Sequence, residues 1–477
     1  MRKVMNEFDD VLRRCTQCLC GIFTRARPNW SLKNSRAWVG RYGYCIGDLR
    51  ASVDWAFAEG RDVELGASLV VEASPLWIDL GLLPEFFERA QRALQALTEC
   101  EPRNLRLEMR LSSAVGHTIY ELGARPHLTP TMMSAFASAA QIAKELDDAE
   151  QKFRSLISQC IANMALGEYQ NVPLLTYKFP EAARKLKRSD IDLYRARSNA
   201  VAHLFMGDLD AAERFVDQAL RDPEIARRVT ASDDGFDFDP LLFTRNVEAR
   251  LRWMRGFPDE ALKITGEIIE DALALGHLPS FLNAYQVAIM PISVWYGHSE
   301  FIKGPLERCV LYGETHGLDY RSLWRPTISW AVDGRAQNWD FAKARNVIAE
   351  RSDVLGVYVK EVLATFHPGF TSREMIDRVR EGKSGWCAAE IIRADGEEKW
   401  FLGDIDGAAT SFHEALSLAH KQGARAWELR AAASLCRLRM RQGNASDERD
   451  VLTSIVQSYT EGFNSWDMMD ATAMLAA

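Results

Sequence analysis

Short turns that contain glycine recur along this chain with a period of roughly 40 residues, a length typical of stacked helical hairpins. The turn glycines are Gly81, Gly123, Gly167, Gly207, Gly256, Gly297, Gly403 and Gly443, and their sequence numbers differ successively by 42, 44, 40, 49, 41, 106 and 40. Asn338 lies inside the one long gap, a single period after Gly297. Asparagine can replace glycine there, because it tolerates the left-handed backbone that such turns often need.

The residues that follow these turns have the periodicity of an amphipathic helix. In residues 208–222 the apolar side chains form a single stripe, made of Leu209, Ala212, Phe215, Val216, Ala219 and Leu220. A second set of glycines lies half a period after a turn glycine, where a helix should end, at Gly276, Gly317 and Gly423. Each unit is therefore predicted to be a helix, a glycine turn, a helix of about five turns and a glycine stop.

A single hairpin of this kind cannot bury its own apolar face, so neighbouring hairpins must stack. We predict an all-α fold, a TPR-like α-solenoid of about nine or ten hairpins with a long concave surface. A small residue five positions after the turn glycine, where helices pack closely, supports the TPR-like unit at Ala212, Ala261 and Ala408. The predicted divisions are a weakly defined basic segment with cysteines (1–30), N-terminal hairpins (31–190) and TPR-like repeats (191–477).

The charge of the chain is mildly acidic overall but basic at its start. The formal net charge is −8, whereas residues 1–50 contain ten Lys/Arg and four Asp/Glu. Basic side chains there, such as Arg25 and Arg41, alternate with aromatic ones, such as Trp30 and Trp38. This pattern can bind nucleic acid, but the same residues can also pack on a neighbouring hairpin or domain. The overall acidity gives little support for nucleic-acid binding without a separate DNA-binding domain.

The cysteines and the longest uncharged stretch bear on localisation. The nine cysteines are odd in number and mostly single, which favours reduced thiols in the cytoplasm. Residues 278–297 carry no charge, but Pro279, Pro291, Asn283 and Gln286 interrupt them. We therefore predict a buried repeat helix there and no membrane span.

Two candidate catalytic motifs each lack a required residue. Gly382-Lys383-Ser384 resembles the end of a phosphate-binding loop, but the first glycine of that motif is replaced by Asp377. His413-Glu414 begins a zinc-protease helix motif, but its second histidine is replaced by Ser417. His413 and His420 are interpreted as solvated or satisfied side chains.

Two further clusters fall short of metal sites. Cys15, Cys18 and Cys20 form a lone CxxCxC with no second ligand pair, so structural thiols are the preferred interpretation. The aspartates of residues 231–240 lack the spacing of a calcium loop, and helix capping explains them. The sequence therefore predicts no catalytic residue, no cofactor and no metal site, and a protein that is not an enzyme.

Four segments carry a more specific pattern, namely GDLRASVDWAFAEGRDVELGASLVVEASPLWIDLGLLPEFFERAQRAL, FDFDPLLFTRNVEARLRWMRGFPDEAL, WCAAEIIRADGE and QGARAWELRAAASLCRLRMRQGN followed by YTEGFNSWDMMDATAMLA. They resemble bacterial transcriptional regulators that join a winged-helix domain, a STAND-type signal-transduction ATPase and a C-terminal helical-repeat region. The likeness covers roughly residues 30–477, within the repeat region alone. It implies a free-standing or truncated relative without the winged helix and the ATPase.

The preferred hypothesis is a non-catalytic, cytoplasmic signalling module that binds a protein partner or a small effector on its concave face. The resemblance supports it, because in that family the repeat region is taken to sense a ligand and pass its state to the ATPase. Two alternatives from other classes remain. One is a DNA-associated regulator that acts through the basic N-terminal segment, and the other is an enzyme or nucleotide-binding protein.

Overall fold

The architecture was obtained from a computed structural model, which describes residues 2–58, 61–188, 190–221, 236–297, 304, 307–309, 311–312, 341–350 and 355–477. Within these residues every regular element is helical and no strand occurs. The predicted all-α class is thereby confirmed. Asn338 and Gly317, which the sequence places at a turn and at a helix end, lie outside the described residues.

The helices of the first half are, in order, Arg2–Ala26, Ser35–Tyr42, Ile46–Ala56, Val63–Glu72, Ser74–Asp79, Leu83–Thr98, Leu105–Glu121, Thr129–Glu145, Ala149–Ala165, Asn171–Thr176, Phe179–Leu186, Ile191–Met206 and Leu209–Leu220. The second half contains Pro240–Met254, Pro258–Leu275, Leu278–Ala284, Met290–Tyr296, Phe341–Ala349, Val357–Ala364, Arg373–Arg380, Ala388–Phe401, Ile405–Gln422, Arg425–Gln442, Ser446–Gln457 and Trp466–Ala476. Most consecutive helices pack against each other as hairpins.

Local sequence accounts for where the hairpin helices begin and end. Gly207 and Gly403 have φ angles of 80° and 88°. This left-handed conformation often ends a helix, and glycine adopts it without strain because it has no Cβ atom. An aspartate follows each glycine and caps the next helix. Asp208 accepts a hydrogen bond from the Ala211 amide at 3.0 Å, and Asp404 accepts one from the Gly407 amide at 2.9 Å.

Most of the described helices contribute to one extended core, and smaller apolar clusters lie beside it. Ala212, Ala261 and Ala408, the small residues of the predicted units, are completely buried. The main apolar cluster includes residues from Leu19 to Trp427, on both sides of the predicted division between residues 190 and 191. At its centre the Trp253 ring stacks on Trp295 with centroids 4.3 Å apart.

The row of turns from residue 123 to residue 297 packs against a much later part of the chain. A side chain added at four of these glycines would meet a residue from the last third of the chain, in the pairs Gly167–Arg378, Gly207–Gly385, Gly256–Tyr459 and Gly297–Trp466. At the fifth turn the contact is made from the other side, since a Cβ built on Gly356 would lie 2.7 Å from the carbonyl oxygen of Gly123. The sequence numbers of the later residues increase in the same order as those of the turn glycines. Residues 356–466 therefore lie along the turn edge of the central hairpins.

The start of the chain belongs to the packed structure. Segment 1–30 contains the helix Arg2–Ala26, whose Phe23 is buried. After this helix, the Trp30 Nε1 donates a hydrogen bond to the Asp79 carboxylate at 2.9 Å. Arg27 is also buried, and its guanidinium donates to the Val71 carbonyl oxygen.

The uncharged stretch 278–297 forms buried helical structure, as its interruptions predict. It consists of the helices Leu278–Ala284 and Met290–Tyr296, joined by a π-helical turn, Tyr285–Ile289. Among the helices that the structure describes, none combines the length and the apolar character needed to cross a lipid bilayer.

Candidate functional site

The predicted turn positions are structural, and eight of the nine lie in the described part of the chain. Each of the eight glycines has a positive φ, and each comes within two positions of the end of a helix. They lie along one edge of the hairpins and converge on no common site. These glycines by themselves therefore define no binding site.

A cavity of about 80 Å³ lies where several hairpins meet the segment 356–359. We call it the central cavity. This volume admits several water molecules, at about 10–15 Å³ for each, or a small organic molecule. Its lining comes from five parts of the chain, at residues 120–124, 164–169, 201–205, 238–247 and 282–287, and from residues 356–359.

Aromatic rings form two walls of the central cavity. On one wall Tyr120 and Phe238 have centroids 6.3 Å apart, and Phe238 stacks on Phe243 at 5.7 Å. On the other wall Tyr169 lies 4.9 Å from Phe205, which lies 5.4 Å from Tyr358. Such walls favour an apolar or cationic occupant, because the faces of aromatic rings carry partial negative charge.

Glu121 is the acidic group of the cavity lining. It is the last residue of the helix Leu105–Glu121, where the helix dipole disfavours a negative charge. Among the described residues no hydrogen bond or ion pair reaches its carboxyl group. Burial raises the pKa of Glu121 well above its usual range, because little water remains to solvate the carboxylate. The neutral form of this carboxyl group is therefore favoured more than in a solvent-exposed glutamate.

Two buried arginines lie behind the aromatic walls. The Arg250 guanidinium carbon lies 5.5 Å from the Phe205 ring centroid, and its Nη1 donates to the Tyr358 hydroxyl at 2.8 Å. The Arg197 guanidinium carbon lies 5.5 Å from the Phe243 ring centroid. Both charges are therefore held on the far side of rings that line the cavity, and no basic residue belongs to the lining itself.

A buried carboxylate fixes the wall that contains Tyr169. The Tyr169 hydroxyl donates to Glu361 at 3.2 Å, and the Trp386 Nε1 donates to the same carboxylate at 2.8 Å. Ser384 donates a further hydrogen bond to it. Glu361 is thus satisfied within the protein, unlike Glu121.

The Gly382-Lys383-Ser384 motif does not form a phosphate-binding loop. It follows the helix Arg373–Arg380 as a tight turn, and Lys383 pairs with Glu168 at 2.9 Å. The Ser384 hydroxyl is committed to Glu361. These partners explain the motif as the link between the helix and the buried carboxylate.

The remaining sequence candidates are dispersed. Cys15, Cys18 and Cys20 lie on one helix with different exposures, and the described residues contain no group of three metal-ligating side chains. His413 is exposed, and His420 is 80% exposed beside Glu428. Asp239 caps the helix Pro240–Met254 by accepting from the Leu242 amide.

The aromatic residues of the basic N-terminal stretch are divided between core and surface. Trp30 and Trp38 are buried, so neither ring is available to stack on a nucleic-acid base. Tyr44 is exposed, as are the side chains of Arg36 and Arg41. The buried tryptophans fit the alternative in which this stretch packs on a neighbouring hairpin.

A second cleft, of about 450 Å³, lies between residues 345–349, 369–376 and 395–402. Its charged side chains are largely paired within the protein. Arg345 contacts Glu398, and Lys399 contacts Asp395 at 2.6 Å. The central cavity is the stronger candidate site, because its carboxyl group has no hydrogen-bond or ion-pair partner among the described residues.

Comparison with models of known protein families and with curated proteins gave no match to this chain. The candidate site therefore rests on its own geometry. Sequence reasoning did not identify Glu121, Tyr120 or Tyr358, which have no spacing pattern that marks them as parts of one site.

Proposed function

We propose that this chain is a non-catalytic sensor module, a TPR-like α-solenoid that binds a small effector in the central cavity. One observation carries the proposal. The cavity is lined by consecutive hairpins between residues 120 and 287 and also by the later segment 356–359. An effector there contacts both parts of the chain and stabilises their association, which is how binding can be passed to a partner.

The resemblance to the repeat region of winged-helix, STAND-type regulators supports the same role. In that family the repeats are taken to sense a ligand for an ATPase, and a protein partner is the natural recipient of the signal. We place the module in the cytoplasm with its thiols reduced, since six of its cysteines are separate residues of the helical fold.

The proposal is tested by thermal unfolding with a panel of small cations, anions and neutral polar compounds. The variant Ala165→Phe places a large side chain in the cavity, where Ala165 forms part of the lining. The control variant Ala137→Phe changes an exposed alanine on the helix Thr129–Glu145. Circular dichroism establishes that both variants are folded.

We expect at least one compound class to stabilise the unchanged protein and Ala137→Phe, by about 2.7 kcal/mol at 100 times its dissociation constant. Ala165→Phe should lose that response. Equal stabilisation of Ala165→Phe, or no stabilisation of the unchanged protein by any class, contradicts the proposal. Tight stoichiometric binding of ATP with Mg²⁺, or conversion of a bound compound to a product, contradicts the non-catalytic assignment.

A further inference from the structure

The acidic and aromatic residues of the central cavity specify a class of ligand. Glu121 supplies a carboxyl group with no partner among the described residues, and Tyr120 and Phe238 lie on the same wall. The hydroxyl of Tyr120 is likewise without a hydrogen bond to any described residue. Together they offer a carboxyl group that a cation can convert to the carboxylate, an oxygen acceptor and two ring faces.

The positions of the buried arginines make the two ends of the central cavity electrostatically different. Arg197 lies over Phe243, and Arg250 lies over Phe205 and Tyr358. In the described structure no arginine or lysine lies over Tyr120 or Phe238, so those rings keep their attraction for a cation. The end of the cavity near Tyr120 favours positive charge, and the end near Phe205 and Tyr358 favours an apolar group.

We propose that the central cavity binds a small organic ammonium ion, with its charged nitrogen at Glu121, Tyr120 and Phe238 and its alkyl part between Phe205 and Tyr358. This inference rests on the proposed function and names the chemistry of its effector. The ammonium group donates a hydrogen bond to the Glu121 carboxylate, and the ring faces stabilise the remaining charge. A carboxylate ligand would instead find no basic residue in the lining to balance its charge.

Binding of the ammonium ion has a consequence for protons. Burial raises the pKa of Glu121 and so favours its neutral carboxyl form. A bound cation favours the carboxylate instead, so binding shifts the equilibrium towards release of this proton to solvent. The other ionisable groups around the site are Tyr120, Tyr169, Tyr358, Glu361, Arg197 and Arg250. Burial raises the pKa values of Tyr120, Tyr169 and Tyr358, which keeps these phenols neutral, and Glu361 already accepts three hydrogen bonds within the protein. Glu121 is therefore the group from which a bound cation releases a proton.

The test uses three probes of one length, n-butylammonium, 1-butanol and butyrate, titrated calorimetrically into the full chain. Glu121→Gln removes the charge while keeping the size of the side chain. Glu145→Gln is the matched control, since Glu145 is also the last residue of its helix, Thr129–Glu145, but is exposed. Thermal unfolding of each variant establishes that it is folded.

We expect n-butylammonium to bind the unchanged protein and Glu145→Gln at least about tenfold more tightly than 1-butanol or butyrate. Glu121→Gln should lose that preference and bind 1-butanol with little change. Titrations in phosphate and in Tris, which differ in ionisation enthalpy, should show a net release of protons when n-butylammonium binds. Glu121→Gln should release none.

Two results overturn the inference. One is that n-butylammonium fails to bind, or binds Glu121→Gln as tightly as the unchanged protein. The other is that butyrate or 1-butanol binds the unchanged protein more tightly than n-butylammonium. In either case, the panel can still show that anions or neutral compounds stabilise the unchanged protein but not Ala165→Phe. The proposed effector cavity then stands, and only its ligand class is wrong.

Discussion

Two turn glycines with nearly the same backbone conformation differ in what surrounds them. Gly207 and Gly403 have φ angles of 80° and 88°, and each precedes an aspartate that caps the next helix. A Cβ atom built on Gly207 would lie 2.8 Å from the carbonyl oxygen of Gly385, whereas one on Gly403 would meet nothing within 4 Å. Gly207 is therefore required both for its left-handed backbone and for its close packing on Gly385, whereas Gly403 is required for its backbone alone.

The pair allows backbone strain to be separated from close packing. Gly403→Ala should cost about 1–2 kcal/mol in the free energy of unfolding, the usual cost of a left-handed conformation for an L-residue. Gly207→Ala should cost at least about 1 kcal/mol more, because the backbone of Gly385 cannot move aside cheaply. Urea unfolding of both variants measures the difference. Equal costs would show that the contact with Gly385 is unimportant.

The period in the sequence predicts where the turns lie, but not what they contact. The conformation of a turn depends on residues close to it in sequence, so the spacing of glycines is enough to assign Gly207 and Gly403 to turns. The packing of Gly207 on Gly385 depends on the whole fold. Glu121 illustrates the same limit, because its sequence context is that of an ordinary polar residue at a helix end. It shares the cavity lining with Phe238 and Tyr358, which are remote in sequence.

Among whole elements, the attachment of the N-terminal segment to the helix Ser74–Asp79 depends on one buried carboxyl group. Asp79 is only 3% exposed and accepts a hydrogen bond from Trp30. Burial raises the pKa of Asp79 to about 7, and the Trp30 hydrogen bond offsets only part of that effect. In the folded state Asp79 therefore keeps a proton that the unfolded chain, with a pKa of about 4 for aspartate, has already released.

This difference makes the attachment sensitive to pH. Between about pH 4 and pH 7 the folded state binds more protons at Asp79 than the unfolded state, so its contribution to stability falls as pH rises. Asp79→Asn removes the ionisation and keeps an acceptor for Trp30. We expect it to gain stability relative to the unchanged protein between pH 5 and pH 8, by more than about 1 kcal/mol.

Urea unfolding at both pH values measures the effect. Asp450→Asn is the control, because Asp450 is exposed on the helix Ser446–Gln457. It should leave the pH dependence unchanged. If Asp79→Asn follows the pH dependence of the unchanged protein, ionisation of Asp79 does not govern the stability of this attachment.

Elements with regular periodicity are predictable, and those without it are not. The helices Leu209–Leu220 and Ile405–Gln422 follow their apolar stripes, since burial of one face determines where such helices form. The short helices Asn171–Thr176 and Phe179–Leu186 have too few turns to show a stripe. Residues 356–359 line the central cavity through tertiary contacts, which no local pattern in the sequence specifies.

At the scale of the molecule, the later chain closes over the turns of the earlier hairpins. In an open array each repeat contacts its sequence neighbours only. Here the amide of Gly462 donates to Asp259 at 2.9 Å, and Glu461 accepts from the amides at the start of the helix Pro258–Leu275. Trp466 likewise covers the turn at Gly297. Contacts between residues so distant in sequence should make the two parts unfold together.

Hydrogen exchange of the variant Trp466→Ala tests this closure. Loss of the indole ring removes the cover of Gly297, so amides of the helix Met290–Tyr296 should exchange faster, together with those of Trp466–Ala476. The control Met469→Ala changes a side chain that is 47% exposed on the same C-terminal helix, and it should leave Met290–Tyr296 unaffected. Faster exchange confined to residues 425–476 in Trp466→Ala would instead indicate an open array. Joint loss of protection would show that the central hairpins depend on the C-terminal ones, as a cavity bounded by both early and late segments requires.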